Sequence, residues 1–164
     1  MTENSPLQLH ESVVLPEWID YNGHMNVAFY VLAFDQATDA FLDHIGLDHG
    51  YKKQANCTTF VVDMNVSYIG EVLEGDPLRF TTQLINSDGK RLHYFHRMYH
   101  AGKGFLAATN ELMTVHINLE TRRVAPIRDD ILARIDTIRD RHATLPFPEK
   151  AGRLIGIRSK TAAT

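Results

Sequence analysis

The stretch from Val27 to Ile45 sets the strongest limit on what this chain can become. It contains no Gly or Pro, opens after Asn26 and closes before Gly46. Asn is suited to cap a helix start and Gly to end one, so the spacing predicts a single helix of about nineteen residues and roughly 28 Å. Its first half, Val-Ala-Phe-Tyr-Val-Leu-Ala-Phe, is apolar on nearly all sides. Asp35, Asp39 and Asp43 then recur on one stripe and read as a solvated face. A helix this apolar has to be wrapped, and a flat sheet covers only one side. A strongly curved sheet folded around its length is therefore expected. One face and two edges of such a sheet stay open, which predicts pairing with a second copy.

The rest of the chain supplies that sheet. A short strand is expected over Leu9 to Leu15. From Thr59 the period becomes two, with Phe60, Val62, Met64, Val66 and Tyr68 on one face and Asp63, Asn65 and Ser67 on the other. Leu78, Phe80, Thr82 and Leu84 continue the alternation, and Asp88-Gly89 makes a hairpin turn before Leu92, Tyr94, His96 and Met98. Gly102-Lys103-Gly104 turns the chain into Phe105 to Leu119. Arg128 to Arg141 carries Ile131, Leu132, Ile135 and Ile138 at helical spacing, and Pro146 and Pro148 stop it. This is an α+β chain with an antiparallel meander, one central helix and a C-terminal helix. With 164 residues, 44% hydrophobic and 23% charged, it reads as one folded domain over residues 1–148. The tail, residues 149–164, is expected to be loosely held.

Charge and cysteine usage exclude several classes. A net charge of -3 provides no field for nucleic acid or an anionic membrane surface. Cys57 is the sole cysteine and reads as a packed thiol. Met1 to Glu11 lacks the basic start and apolar run of a secretion signal, and Val27 to Phe34 is too short to span a bilayer, so a cytoplasmic location is expected. Nine histidines invite a metal reading, above all His93, His96 and His100. On a strand His96 and His100 share a face while His93 points to the other, so no metal site is expected and surface charge near a sheet edge explains them.

The segment Trp18 to Asn26 is the most unusual. Asp20, Asn22, His24 and Asn26 stand at every second position just before a largely apolar helix. Such groups are costly to bury unless each finds a partner or ligand. The helix start adds free N–H groups and the positive end of a macrodipole, which stabilise the oxyanion formed when a carbonyl is attacked. If the Asn26 side chain caps Ala28 or Phe29, the N–H of Val27 stays free for that task. Structural roles compete at each position. Asp20 can bond nearby N–H groups, Asn22 can form a turn ahead of Gly23, His24 can cap or pack, Asn26 can be a cap alone, and Tyr30 can simply pack.

The spacing Asp-x-Asn-x-His-x-Asn, followed four residues later by Tyr30, resembles the hot-dog-fold thioesterases of the 4-hydroxybenzoyl-CoA and acyl-carrier-protein types. Val66-Ser67-Tyr68 then Gly70, Gly75-Asp76-Pro77-Leu78, and Asn118 to Pro126 are similar to later parts of that family's pattern. The resemblance implies a hot-dog domain, assembled as a homodimer or homotetramer, that hydrolyses an acyl-CoA thioester. Coenzyme A belongs to the substrate, and no cofactor is implied. Asp20 matches the family's base or nucleophile, Asn22 and His24 its amide and imidazole, and Val27 the helix-terminal N–H that polarises the carbonyl. The run Leu-Pro-Glu-Trp-Ile-Asp-Tyr-Asn-Gly-His-Met-Asn is also similar to thioesterase segments of bacterial carnitine breakdown, which implies betainyl-CoA. Trp18, Tyr21, Tyr30 and Tyr68 are then candidates to surround the acyl group or its quaternary ammonium. Arg79, Lys90, Arg91, Arg97, Arg122 and Arg123 are candidates for the coenzyme A phosphates. Two other activities on the same fold compete with this one: an enoyl-CoA hydratase or dehydratase, and a non-catalytic acyl-CoA or acyl-carrier-protein binder. Gly23 stands where hydratases carry Pro, and no DNA-binding segment accompanies a sensor.

Overall fold

A computed structural model describes residues 5–156. The order is β1 (Leu7–Val13), a 3-10 turn (Pro16–Trp18), α1 (Val27–Ile45), α2 (His49–Ala55), β2 (Cys57–Tyr68), β3 (Pro77–Ser87), β4 (Arg91–His100), β5 (Leu106–Asn118), β6 (Arg123–Val124) and α3 (Asp129–His142). The sheet runs β1-β3-β4-β5-β2, with β6 added on β5. All pairings are antiparallel.

Helix α1 has the bounds its capping signals require. Asn26 accepts from the Ala28 N–H, and Gly46 closes the helix in the left-handed region at φ 92°. Its inward face is Tyr30, Ala33, Phe34, Ala37, Thr38, Phe41 and Ile45, which pack against the sheet. Asp35, Asp39 and Asp43 are exposed, as a solvated stripe requires. Burial first, and then Asp35 and Asp43, hold the Asp39 carboxyl above its ordinary range. The single chain does not wrap α1 completely: Val27 stays 57% and Leu32 41% exposed.

The core falls into two clusters. One, around Trp18, Met25, Tyr30, Phe34, Val72, Phe80 and Met98, sits at the start of α1. The other gathers Phe41, Ile45, Tyr94 and Leu112 with Ile131, Ile135 and Ile138 of α3. Cys57 is a buried free thiol, as expected. No helix among the described residues is long and apolar enough to cross a membrane.

Four expectations change. Strand β2 does not keep its alternation: a bulge between Val61 and Asp63 shifts the register, and Phe60, Val61, Val62 and Asp63 are all exposed. One extra residue in an edge strand inverts the side-chain phase, which periodicity alone does not register. Helix α2 appears where none was expected, because Tyr51 is its only buried residue. The histidines are not surface charges. His96 is fully buried between Thr38 and Thr82, with ring nitrogens 3.1 and 2.9 Å from their hydroxyls, and His100 is buried 3.3 Å from Asp76. Finally, the first part of the tail is held. Gly152 N–H donates to Glu111 at 2.8 Å and Arg153 to Ser67 Oγ at 2.7 Å. Residues 157–164 of that tail lie outside the described residues.

Candidate active site

The segment before α1 folds back on itself. Ile19 and Met25 form an antiparallel bridge, Asp20 N–H donates to His24 O at 3.1 Å, and Gly23 N–H donates to Asp20 O at 3.0 Å. Gly23 takes φ 81°, a conformation that a side chain would strain. This tight reversal aims the half-buried Asp20 carboxylate. One oxygen accepts the Asn22 N–H at 2.8 Å and the other accepts the Asn26 side-chain amide at 3.2 Å.

Asn26 joins that carboxylate to the helix. Its Oδ1 accepts the Ala28 N–H at 2.9 Å, its carbonyl accepts the Phe29 N–H at 3.0 Å, and its own N–H donates to Trp18 O at 2.9 Å. These bonds leave the N–H of Val27, the first helical residue, without an acceptor among the described residues. An oriented carboxylate and a free N–H at the positive end of a long helix thus share one short segment. That pairing suits a reaction in which a base acts beside a developing oxyanion.

The other expected residues divide. Asn22 reaches Asp20 through its backbone, and its side chain is exposed. His24 is half-buried with Nδ1 3.3 Å from Met25 O, and forms no ion pair with Asp20. Trp18 is buried and stacked on Phe29 at 5.8 Å, and Tyr30 is buried with its hydroxyl donating to Gly70 O at 3.3 Å. Both are core residues, which leaves Trp18 almost no surface for a ligand. Tyr68 meets Tyr30 edge-on at 5.2 Å, donates to Val27 O at 3.3 Å, and keeps 48% of its surface exposed. Tyr21 is exposed on the turn.

Sequence reasoning missed how the segment after β2 closes this site. Met25 N–H donates to Val72 O at 3.0 Å, which holds residues 70–72 across the start of α1. Burial first, and then the charge of Glu71 in this segment, push the Tyr30 hydroxyl up. Gly70 allows the close approach of this segment to β5, since a Cβ there would lie 3.0 Å from Phe105.

Of the basic candidates, Arg91 is paired with Asp88 at 2.6 Å, Arg79 lies over Tyr99 and Arg122 lies over Phe60. Arg97 sits on the outer face of the sheet, 5.1 Å from the Phe95 ring centre. His93 is bound to Glu111 at 2.8 Å, and no group among the described residues could hold a metal ion.

A helix wrapped by one antiparallel sheet, with an acid-bearing turn at its N-terminus, defines a hot-dog protein of the thioesterase type. Residues 14–135 match the thioesterase-like superfamily, and the chain belongs to it. It is 42% identical to a betainyl-CoA thioesterase of Pseudomonas aeruginosa, over 92% of this chain and 95% of that one. It is 35% identical to an L-carnitine dehydrogenase/betainyl-CoA thioesterase of Rhizobium meliloti, over 93% of this chain but only 31% of that longer protein. Among solved structures, a hypothetical protein of Staphylococcus aureus in complex with CoA superimposes with a TM-score of 0.86 at 30% identity, covering 93% of this chain and 97% of the other.

Proposed function

We propose that this chain is an acyl-CoA thioesterase acting on betainyl-CoA, with Asp20 as the base and the Val27 N–H as oxyanion donor. The observation that carries the reading is the Asp20 carboxylate tied through Asn26 to a helix whose first N–H is free. Asp20 takes a proton from water as the water oxygen adds to the thioester carbon, and the carbonyl oxygen gains negative charge at Val27. Collapse breaks the carbon–sulfur bond, and the thiolate leaves with the proton held by Asp20. The products are the free acid and CoA. Direct attack by Asp20, giving an anhydride that water opens, uses the same geometry. Single turnover in 18O-water marks the anhydride route opened by water at the Asp20 carboxyl carbon, the one route that leaves label on Asp20.

Two observations support the acyl group. Tyr68 and Tyr21 expose aromatic surface around the helix start, and Glu71 adds negative charge there, a combination suited to a trimethylammonium group. The relatives named for betainyl-CoA match nearly the whole chain. A homodimer is proposed as the working form, since the outer edge of β2 is unpaired and exposes Phe60, Val61 and Val62 in line with Tyr68.

The test is release of free thiol from betainyl-, acetyl-, aromatic and long-chain acyl-CoA by wild type and Asp20→Asn. Asn keeps the shape and one acceptor, so the expected loss in kcat is about 100- to 10,000-fold with an intact fold. A variant as fast as wild type refutes the role of Asp20, and a preference for another acyl group refutes the substrate.

A further inference from the structure

The outer face of the sheet, opposite α1, is crossed by the segment from Leu145 to Lys150, and a cavity of about 350 Å³ lies between them. Its walls are mostly apolar: Phe95 and Leu106 from the sheet, Leu145, Pro146 and Phe147 from the crossing segment. Gln83, Thr109, Glu149 and Lys150 add polar groups, and Arg97 is the one cation that the sheet itself contributes to the lining. One guanidinium nitrogen donates to Gln83 Oε1 at 3.1 Å, while the other is buried without a hydrogen-bond partner.

That charge has no counter-ion among the described residues. The cross-strand neighbours of Arg97 are Thr81 on β3 and Thr109 on β5, both uncharged. Glu111, two residues along β5, is already engaged by His93 at 2.8 Å and by Gly152 N–H at 2.8 Å. Glu149 and Lys150 also line the cavity with opposite charges, and neither forms an ion pair with Arg97. Burial accordingly weakens the hold of Arg97 on its proton. A half-buried cation beside apolar walls is stabilised by an anion whose body is itself apolar. The volume is at the small end of ligand pockets.

We infer that this cavity binds a monocarboxylate with an apolar chain, the carboxylate on Arg97 and the chain against Leu106, Leu145 and Phe147. The site is separate from the Asp20 turn, which lies at the start of α1, and it does not depend on the proposed reaction. It also assigns Arg97 a ligand other than a coenzyme A phosphate.

The test is a thermal-shift and calorimetric titration of the full chain with octanoate, octanol and inorganic pyrophosphate. Octanoate is expected to raise the Tm of wild type by about 5 °C or more at a hundredfold excess over Kd. Octanol, which lacks the charge, and pyrophosphate, which lacks the chain, are expected to give little shift. Arg97→Met is expected to weaken octanoate at least about tenfold, the loss of a charge-assisted hydrogen bond. Phe147→Ala is expected to weaken it several-fold. Each readout is the ligand-induced shift, so a change in basal Tm does not confuse it. No shift with octanoate, an equal shift with octanol or pyrophosphate, or full retention in Arg97→Met overturns the inference.

Discussion

Asn26 performs two jobs, and Asn26→Asp separates them. As a helix cap Asp is as good as Asn, so the bond to the Ala28 N–H and the start of α1 survive. The other job inverts. The amide that donates to Asp20 at 3.2 Å becomes a second carboxylate facing the first. Two unit charges about 4 Å apart repel by about 1 kcal/mol in water and about 4 kcal/mol near a protein surface. At 1.36 kcal/mol per unit, the pair therefore holds a shared proton to a pH about 1–3 units higher than an isolated carboxylate. A protonated Asp20 cannot take a proton from water, so the acid limb of kcat/KM moves up by that amount. Activity lost near pH 5 returns as the pH is raised. Asn26→Ser provides the comparison: it keeps the cap and drops the contact without adding charge, so its rate falls with no such displacement. The assay is thiol release between pH 5 and 9, with Tm measured alongside. An Asn26→Asp variant of wild-type Tm whose acid limb stays in place refutes the idea that Asp20 is the base oriented by Asn26.

Further outcomes are expected elsewhere in the molecule. Burial lowers His96 to about 3 and His142 to about 4, whereas both titrate near 6.5 when unfolded. The unfolded chain thus binds more protons between those limits, and stability falls as pH drops from 6.5 toward 4, by up to about 1.4 kcal/mol per pH unit for each group. Urea midpoints across that range check it, and His96→Gln flattens the slope by about one proton. Val62→Lys adds charge to the exposed edge of β2, where Val62 is 57% exposed. It is expected to give a monomer by sedimentation, with loss of thioesterase activity if the site needs two copies. Gly70→Ala drives a Cβ to within 3.0 Å of Phe105. The expected cost is about 1–3 kcal/mol, or a Tm lower by about 3–10 °C in calorimetry.

Local signals in the chain were good guides where one residue decides one feature. Asn26 and Gly46 bound α1 at both ends, and the turns at Asp88-Gly89 and Gly102-Lys103-Gly104 separate the long strands. Asp20 is oriented by two residues of its own motif, Asn22 and Asn26. Features that depend on distant contacts were hidden. The closing of the site by Val72 joins residues 47 positions apart, and nothing in the local pattern near Met25 announces it. His96 looks like any strand histidine until Thr38, on the helix, and Thr82, on the next strand, bond both of its nitrogens. The tail reads as loose because its polar residues face no local partner, yet Arg153 reaches Ser67 from 86 residues away. Trp18 and Tyr30 resemble ligand-facing aromatics in sequence, and only packing shows that Phe29 and the sheet have already covered them.

The buried histidine bears directly on the distant site. His96 and its two threonine partners divide the core into a cluster around the start of α1 and a cluster around α3. Apolar packing alone would let the helix settle at more than one position along the sheet, because Leu, Phe and Ile surfaces tolerate small slides. A neutral imidazole with a hydroxyl on each nitrogen does not, since moving α1 by one residue, 1.5 Å, breaks the Thr38 bond and leaves a buried nitrogen unpaired. Phe34 stacked on the ring at 6.1 Å and Tyr94 against its edge at 5.2 Å fix its orientation. The proposed chemistry depends on where the Val27 N–H stands relative to the Asp20 turn, and an error of 1 Å in such an arrangement costs about a hundredfold in rate. The polar pair in mid-core therefore sets the axial position of the helix, and the turn held by Val72 sets the carboxylate against it.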